Sequence, residues 1–290
     1  MNRYWQLLFG SGLVKTTEDF GSQGELPSHP RLLDWLAADL MGNGWDIQAL
    51  LKTLVMSRTY RQSSVVMEEH LRKDPDNLLL ARAPRLSLPG NVLRDQALAV
   101  SGLLVEKQGG PSVYPYQPAK LWEEASNAKY TVGKGEDLYR RSLYTYWKRT
   151  LAPPNMAVLD TADREYCAVR PKFTNTPLQA LTLLNDVTFV EAARKLGERI
   201  LLEGGVTDAE RVRFGFRTVA TREPTAREVR VLTAALNEYR EEFRAQPKAA
   251  PVVLKVGESV VAKGLDVGEV AAAAALANVL LNLEEVTTRE

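Results

Sequence analysis

The sequence predicts a mainly α-helical fold, an irregular multi-helix domain with long loops and at most one short extended or β segment in the middle. Three observations carry this. Apolar residues recur at i, i+3, i+4 and i+7 near both ends of the chain. Two capping boxes announce helix starts, Thr176-Pro177-Leu178-Gln179 and Thr225-Ala226-Arg227-Glu228. Dense strand-favouring residues occur only at Ser142–Lys148.

Met1, Tyr4, Trp5 and Leu8 share one face of a first helix, which Gly10-Ser11-Gly12 ends. That helix is already under way at residue 1, so the chain is expected to be a piece of a longer protein. A glycine-punctuated loop leads to Pro27-Ser28-His29-Pro30 and a helix over 31–41, with Leu33, Leu36, Ala37 and Leu40 on one side. Asp46 caps a third helix whose apolar stripe is Ile47, Leu50, Leu51, Leu54 and Val55. A helix over 92–104 precedes a Pro- and aromatic-rich loop, 111–118. Past Thr176, Phe189, Ala193, Leu196 and Ile200 form the next stripe; past Thr225, Val229, Leu232, Leu236, Tyr239 and Phe243 form another. The expected organisation is a helical domain over 1–245, a connector over 246–265, and an alanine-rich C-terminal helix over 266–290 that packs back on the same domain. Its small side chains allow close approach between helices.

Lys plus Arg (37) nearly balance Asp plus Glu (36) in a chain of 290 residues, for a formal net charge of +1. That lacks the basic excess usual of a nucleic-acid binder. The longest apolar stretch, Val270 to Leu281, is shorter than the roughly 20 residues of a membrane span. Cys167 is the single cysteine, which rules out an intrachain disulfide. No signal peptide is visible. No C-x-x-C-H motif occurs, so this chain cannot attach a c-type haem by itself.

Four residues are candidates for catalysis: His29, Asp160, Arg164 and Cys167. His29 stands at the start of a helix, where the dipole favours anions and a neutral imidazole; the alternative is that Ser28 and His29 cap the helix. Cys167 could serve as a nucleophile with His29 as base and Asn175 as orienting group, although a lone cysteine is more often a small buried side chain. Asp160, with Asp163 and Glu165, offers oxygen ligands, but Arg164 inside the cluster opposes a cation, and no metal is expected. His70, among Glu68, Glu69, Arg72 and Lys73, is expected to be solvated. Candidate binding residues are Tyr144, Tyr146, Trp147, Arg140 and Arg141, since aromatics interleaved with arginines can hold sugars or anions; Lys148, Arg149, Arg170 and Lys172 extend the basic flavour. The alternative is a strand whose aromatics face a core.

Several stretches together are more specific than any one. They are Asn2-Arg3-Tyr4-Trp5-Gln6 with Phe9-Gly10-Ser11-Gly12-Leu13-Val14; Asp19-Phe20-Gly21 through Pro30 with Leu33-Asp34-Trp35-Leu36; Tyr60-Arg61-Gln62-Ser63-Ser64; Leu138 through Tyr144; and Thr174-Asn175-Thr176-Pro177-Leu178-Gln179-Ala180-Leu181 with Leu184-Asn185-Asp186. In this order the chain resembles the domain of unknown function 1553 family, abundant in planctomycetes. It departs at Val187, where members often have proline, at Arg31, where an acid often completes a capping box, and at 88–91. The resemblance implies an exported, extracytoplasmic protein with an upstream cytochrome c domain carrying haem c and a second, uncharacterised neighbouring domain. It brings no established catalytic residues. The expected role is a helical, non-catalytic module that supports or docks the upstream domain, with neither nucleic acid nor a membrane span. The competing expectations are a hydrolase-like enzyme and a carbohydrate- or anion-binding module acting on extracellular polysaccharide.

Overall fold

The structure is a computed structural model that describes residues 1–125, 129–148, 150–162, 164, 167–169 and 174–289, with only the backbone at 124 and 125. The chain divides into two compact units. The first contains Met1–Ser87 with Cys167, Ala168, Val169, Thr288 and Arg289; the second contains the remaining described residues between Leu88 and Thr287.

In the first unit, α1 (Asn2–Phe9) buries Trp5, Leu8 and Phe9, and the Trp5 and Phe9 rings stack at 4.0 Å. Gly10 ends it in a positive-φ conformation (φ 80°) and donates its N–H to Gln6 O. Pro30 occupies the first turn of α2 (Pro30–Gly42), where its missing N–H costs nothing. Asp46 accepts from Ala49 N at 3.0 Å and caps α3 (Ile47–Met56). Leu36 and Leu40 of α2 and Leu50 and Leu54 of α3 close with α1 and Leu13 into one small core. A short α4 (Glu68–Lys73) buries nothing. β1 (Leu86–Ser87) pairs antiparallel with β2 (Thr288–Arg289), setting Leu86 opposite Arg289.

The second unit runs through α5 (Gly90–Ser101), α6 (Leu121–Ala125), α7 (Pro154–Val158), α8 (Pro177–Asn185), α9 (Val187–Glu203), α10 (Asp208–Ala220), α11 (Ala226–Ala245), α12 (Ala249–Leu254), α13 (Val267–Leu281) and α14 (Glu284–Thr287). α13 is its axis and packs against both α9 and α11. Val270, Ala271, Ala272, Ala273, Leu276, Ala277 and Leu280 have no exposed surface. Gly197 lets α9 approach α13 so closely that a Cβ there would lie 2.6 Å from Ala274 N. The capping boxes at Thr176 and Thr225 form as their spacing predicts, and a third forms at Thr207–Glu210.

The mainly α expectation holds, and the differences from it are local. Ser142–Tyr144 is a 3-10 turn, and the residues after it make only isolated bridges, at Thr145 and Lys148. At the turn Asp95 takes the Ser142 N–H, and beyond it Tyr144 O and Tyr146 N–H pair with Val113 in a single parallel bridge. The two-residue strands lie elsewhere, at 86–87 and 288–289. The expected connector contains α12, and the expected caps at Ser28 and His29 do not form. Ser28 Oγ instead donates to Leu13 O, and His29 Nδ1 lies 3.1 Å from Ser28 Oγ.

Candidate functional site

The basic and aromatic middle segment turns its groups onto one another. Arg140 is buried and donates to the carbonyls of Lys107 (2.9 Å), Gly109 (2.6 Å) and Pro111 (3.3 Å). Its guanidinium lies 3.8 Å from the Tyr144 ring centroid, and the Tyr144 hydroxyl accepts the Gly109 N–H. This pair holds the 107–111 loop. Tyr146 stacks on Tyr114 at 4.8 Å and meets Trp122, which also packs on Tyr130. Arg164 lies over Trp147 at 4.6 Å. Tyr144, Tyr146 and Trp147 are half-buried, and Arg141 is exposed.

Asp160 adopts a left-handed backbone (φ 58°) and turns its carboxylate onto the segment after it. Its Oδ2 accepts from Thr174 N (2.6 Å), Thr174 Oγ1 (2.7 Å) and Gln179 Nε2 (2.9 Å). Asp160 thereby anchors the start of α8. Asp163, Glu165, Arg149, Arg170 and Lys172 lie outside the described residues. His29, half-buried, and Cys167, exposed, belong to the first unit, whereas Asp160 and Arg164 belong to the second. Among the described residues no three His, Cys, Asp or Glu side chains come together to hold a metal ion, and no helix is long and apolar enough to cross a membrane.

The second unit also holds a buried polar network, on residues that are not among the sequence-based candidates. Glu191 (1% exposed) accepts the Tyr139 hydroxyl at 2.9 Å and Ser259 N–H at 2.7 Å on Oε1, while its Oε2 has no partner. Arg194 pairs with Glu198 at 2.7 Å and donates to Ser259 O and Oγ. Glu198 also accepts from Lys195 and Ala262 N. Burial and the neighbouring carboxylate push the Tyr139 hydroxyl up to about 12, despite a lowering hydrogen bond with Tyr116. Burial also raises Tyr116, whose hydroxyl accepts the Glu258 N–H. These titratable groups serve as internal partners that seat residues 256–262 on α9. The available signal was Glu191, Arg194 and Glu198 at i, i+3 and i+7, a polar row beside the apolar stripe.

The first unit presents a different kind of surface. Trp35 (55% exposed), Ala38 and Met41 lie on the outward half of α2, away from Leu36 and Leu40. Beyond the helix, Gly44 and Trp45 turn back with positive φ, and their N–H groups donate to Met41 O and Leu40 O. This is a Schellman-type ending, whose outer residue commonly packs down on the helix. Trp45 is instead 66% exposed, at φ 65°. A left-handed residue other than glycine costs about 1 kcal/mol, so an exposed tryptophan is held there against its own preference. Ile47 and Met56 add exposed apolar side chains on α3.

A family model described as "Protein of unknown function (DUF1553)" matches residues 1–236. No curated protein and no solved structure matches the chain.

Proposed function

The chain belongs to the DUF1553 family of proteins of unknown function, and on that premise we propose that it is a non-catalytic docking module. It supports an upstream, haem c-bearing cytochrome domain within a longer exported protein. The observation that carries this reading is the outward tryptophan pair, Trp35 and Trp45, on and just beyond α2. Monomeric proteins rarely expose large contiguous apolar patches, and tryptophan is prominent among residues that anchor protein interfaces. The arrangement of the charged groups agrees with it. Arg140, Arg194, Glu191 and Glu198 are buried and engaged in holding loops. The polysaccharide reading draws less support, because Tyr146 is stacked within an aromatic cluster and Arg140 is taken up by carbonyls.

The test is hydrogen–deuterium exchange of α2 in the complete gene product and in this chain alone. Docking predicts slower exchange over 35–45 in the complete protein, and its loss in a Trp35→Ala/Trp45→Ala variant that keeps its melting temperature. Haem c absorbance in the complete protein checks the cytochrome assignment. Equal exchange in both forms, or a complete protein without covalent haem, refutes the proposal.

A further inference from the structure

We propose that the first unit binds a small organic oxyanion, a carboxylate or phosphate ester, in the cleft beside the Gly10–Leu13 loop. The cleft holds ≈ 370 Å³, within the range of small-molecule sites. Trp5, Phe9, Leu80 and Leu86 supply apolar walls, and Arg82 and Ser64 stand among its polar lining.

Arg82 is the decisive residue. It is 9% exposed, and its guanidinium donates to the carbonyls of Asp74 (3.1 Å) and Pro75 (2.7 Å). Among the described residues no carboxylate lies within 4.0 Å of it. Two carbonyls take part of its N–H set but leave its charge unneutralised, and a buried charge is costly unless paired. The nearby acids are already engaged. Asp74 accepts the N–H groups of Leu78 and Leu79, each at 2.8 Å, and Asp76, which also lines the cleft, lies 3.9 Å from Lys15.

The Gly10–Leu13 loop supplies donors without acceptors. Ser11, Gly12 and Leu13 all line the cleft, and their backbone N–H groups have no hydrogen-bond partner among the described residues. Successive free amides in a turn form a cradle for an anion. The C-terminal pole of α1 would oppose one, but Arg289 donates to the Leu7 and Leu8 carbonyls there and offsets it. A buried cation, three free amides and apolar walls lining one cleft fit a ligand with one anionic group on an organic body.

The test is an amide-resolved NMR titration of the whole chain with benzoate, with phenyl phosphate and with inorganic phosphate, against sodium chloride at matched ionic strength. The expected result is a saturable shift of the Ser11, Gly12 and Leu13 amides with benzoate or phenyl phosphate and none with chloride. The organic probe that binds tighter names the anionic group. Ser64→Glu, which sets a negative charge in the cleft without touching the Arg82 hydrogen bonds, should weaken that binding at least about tenfold, about 1.4 kcal/mol. Absence of a saturable shift with both organic probes overturns the proposal, as does equal binding by the folded Ser64→Glu chain. Tighter binding of inorganic phosphate than of either organic probe refutes the organic body.

Discussion

Gly197 stands where the backbones of α9 and α13 come closest, and replacing it by alanine measures how firmly the second unit is packed. The added Cβ would lie 2.6 Å from Ala274 N, 2.8 Å from Ala273 C and 2.9 Å from Ala274 Cα, where ordinary contact begins at 3.4 Å. All three atoms are backbone, so no side chain can swing aside and the helices must part. Parting them disturbs the fully buried row Ala271, Ala272, Ala273 and Leu276. Overpacking a well-packed core costs about 1–3 kcal/mol, and contact with rigid backbone belongs in the upper half of that range. Alanine recovers about 1 kcal/mol of helix propensity over glycine. The expected net loss is therefore about 1–2 kcal/mol, or roughly 2–8 °C in melting temperature for a unit of this size. Urea denaturation followed by circular dichroism reads it. Gly42→Ala is the control, because nothing lies within 4 Å of that position, and it should be neutral or slightly stabilising. If Gly197→Ala stabilises the chain as the control does, the close helix approach is refuted.

Further tests address single contacts. Tyr139→Phe removes the hydroxyl donor to buried Glu191 and should lower stability by about 1–3 kcal/mol in the same denaturation assay. Asp46→Ala removes the cap of α3 and should cost about 1 kcal/mol, seen as earlier melting of the first unit. The Arg222 guanidinium and the Thr225 backbone hold Glu228 well below its usual 4.5, at about 2. A depressed carboxylate contributes stability that is complete above its unfolded pKa and disappears as pH falls through its folded pKa. The melting temperature should therefore fall between pH 4.5 and about 2, and Glu228→Gln should flatten that fall; parallel curves would contradict the pairing.

Helix starts were legible because caps are local. Thr176 with Gln179, Thr225 with Glu228, and Asp46 with Ala49 interact across three residues, a separation readable in one dimension. Thr207 with Glu210 carries the same three-residue signal at the start of α10. At 142–148 only part of the segment is extended, for the opposite reason: Asp95, more than forty residues earlier, takes the Ser142 N–H at a 3-10 turn, and the extended part finds its parallel bridge partner at Val113. Arg140 and Tyr144, two of the expected binding residues, clasp the 107–111 loop, and partners that far along the chain leave no mark in the local pattern. Trp35 stood outside the apolar stripe of its helix, and that much the spacing already marked.

By itself, then, the sequence determined the mainly α class, the helix caps, the apolar faces and the capacity of an alanine-rich helix for close packing. These depend on residues within a turn or two of one another. Only the tertiary structure decided that Gly197 receives that helix, that residues 86–87 find 288–289, that Arg82 is buried without a carboxylate, and that Trp45 stays in solvent. Each of those outcomes depends on residues distant in sequence competing for the same space or the same hydrogen bonds. That competition is settled only when the chain closes on itself.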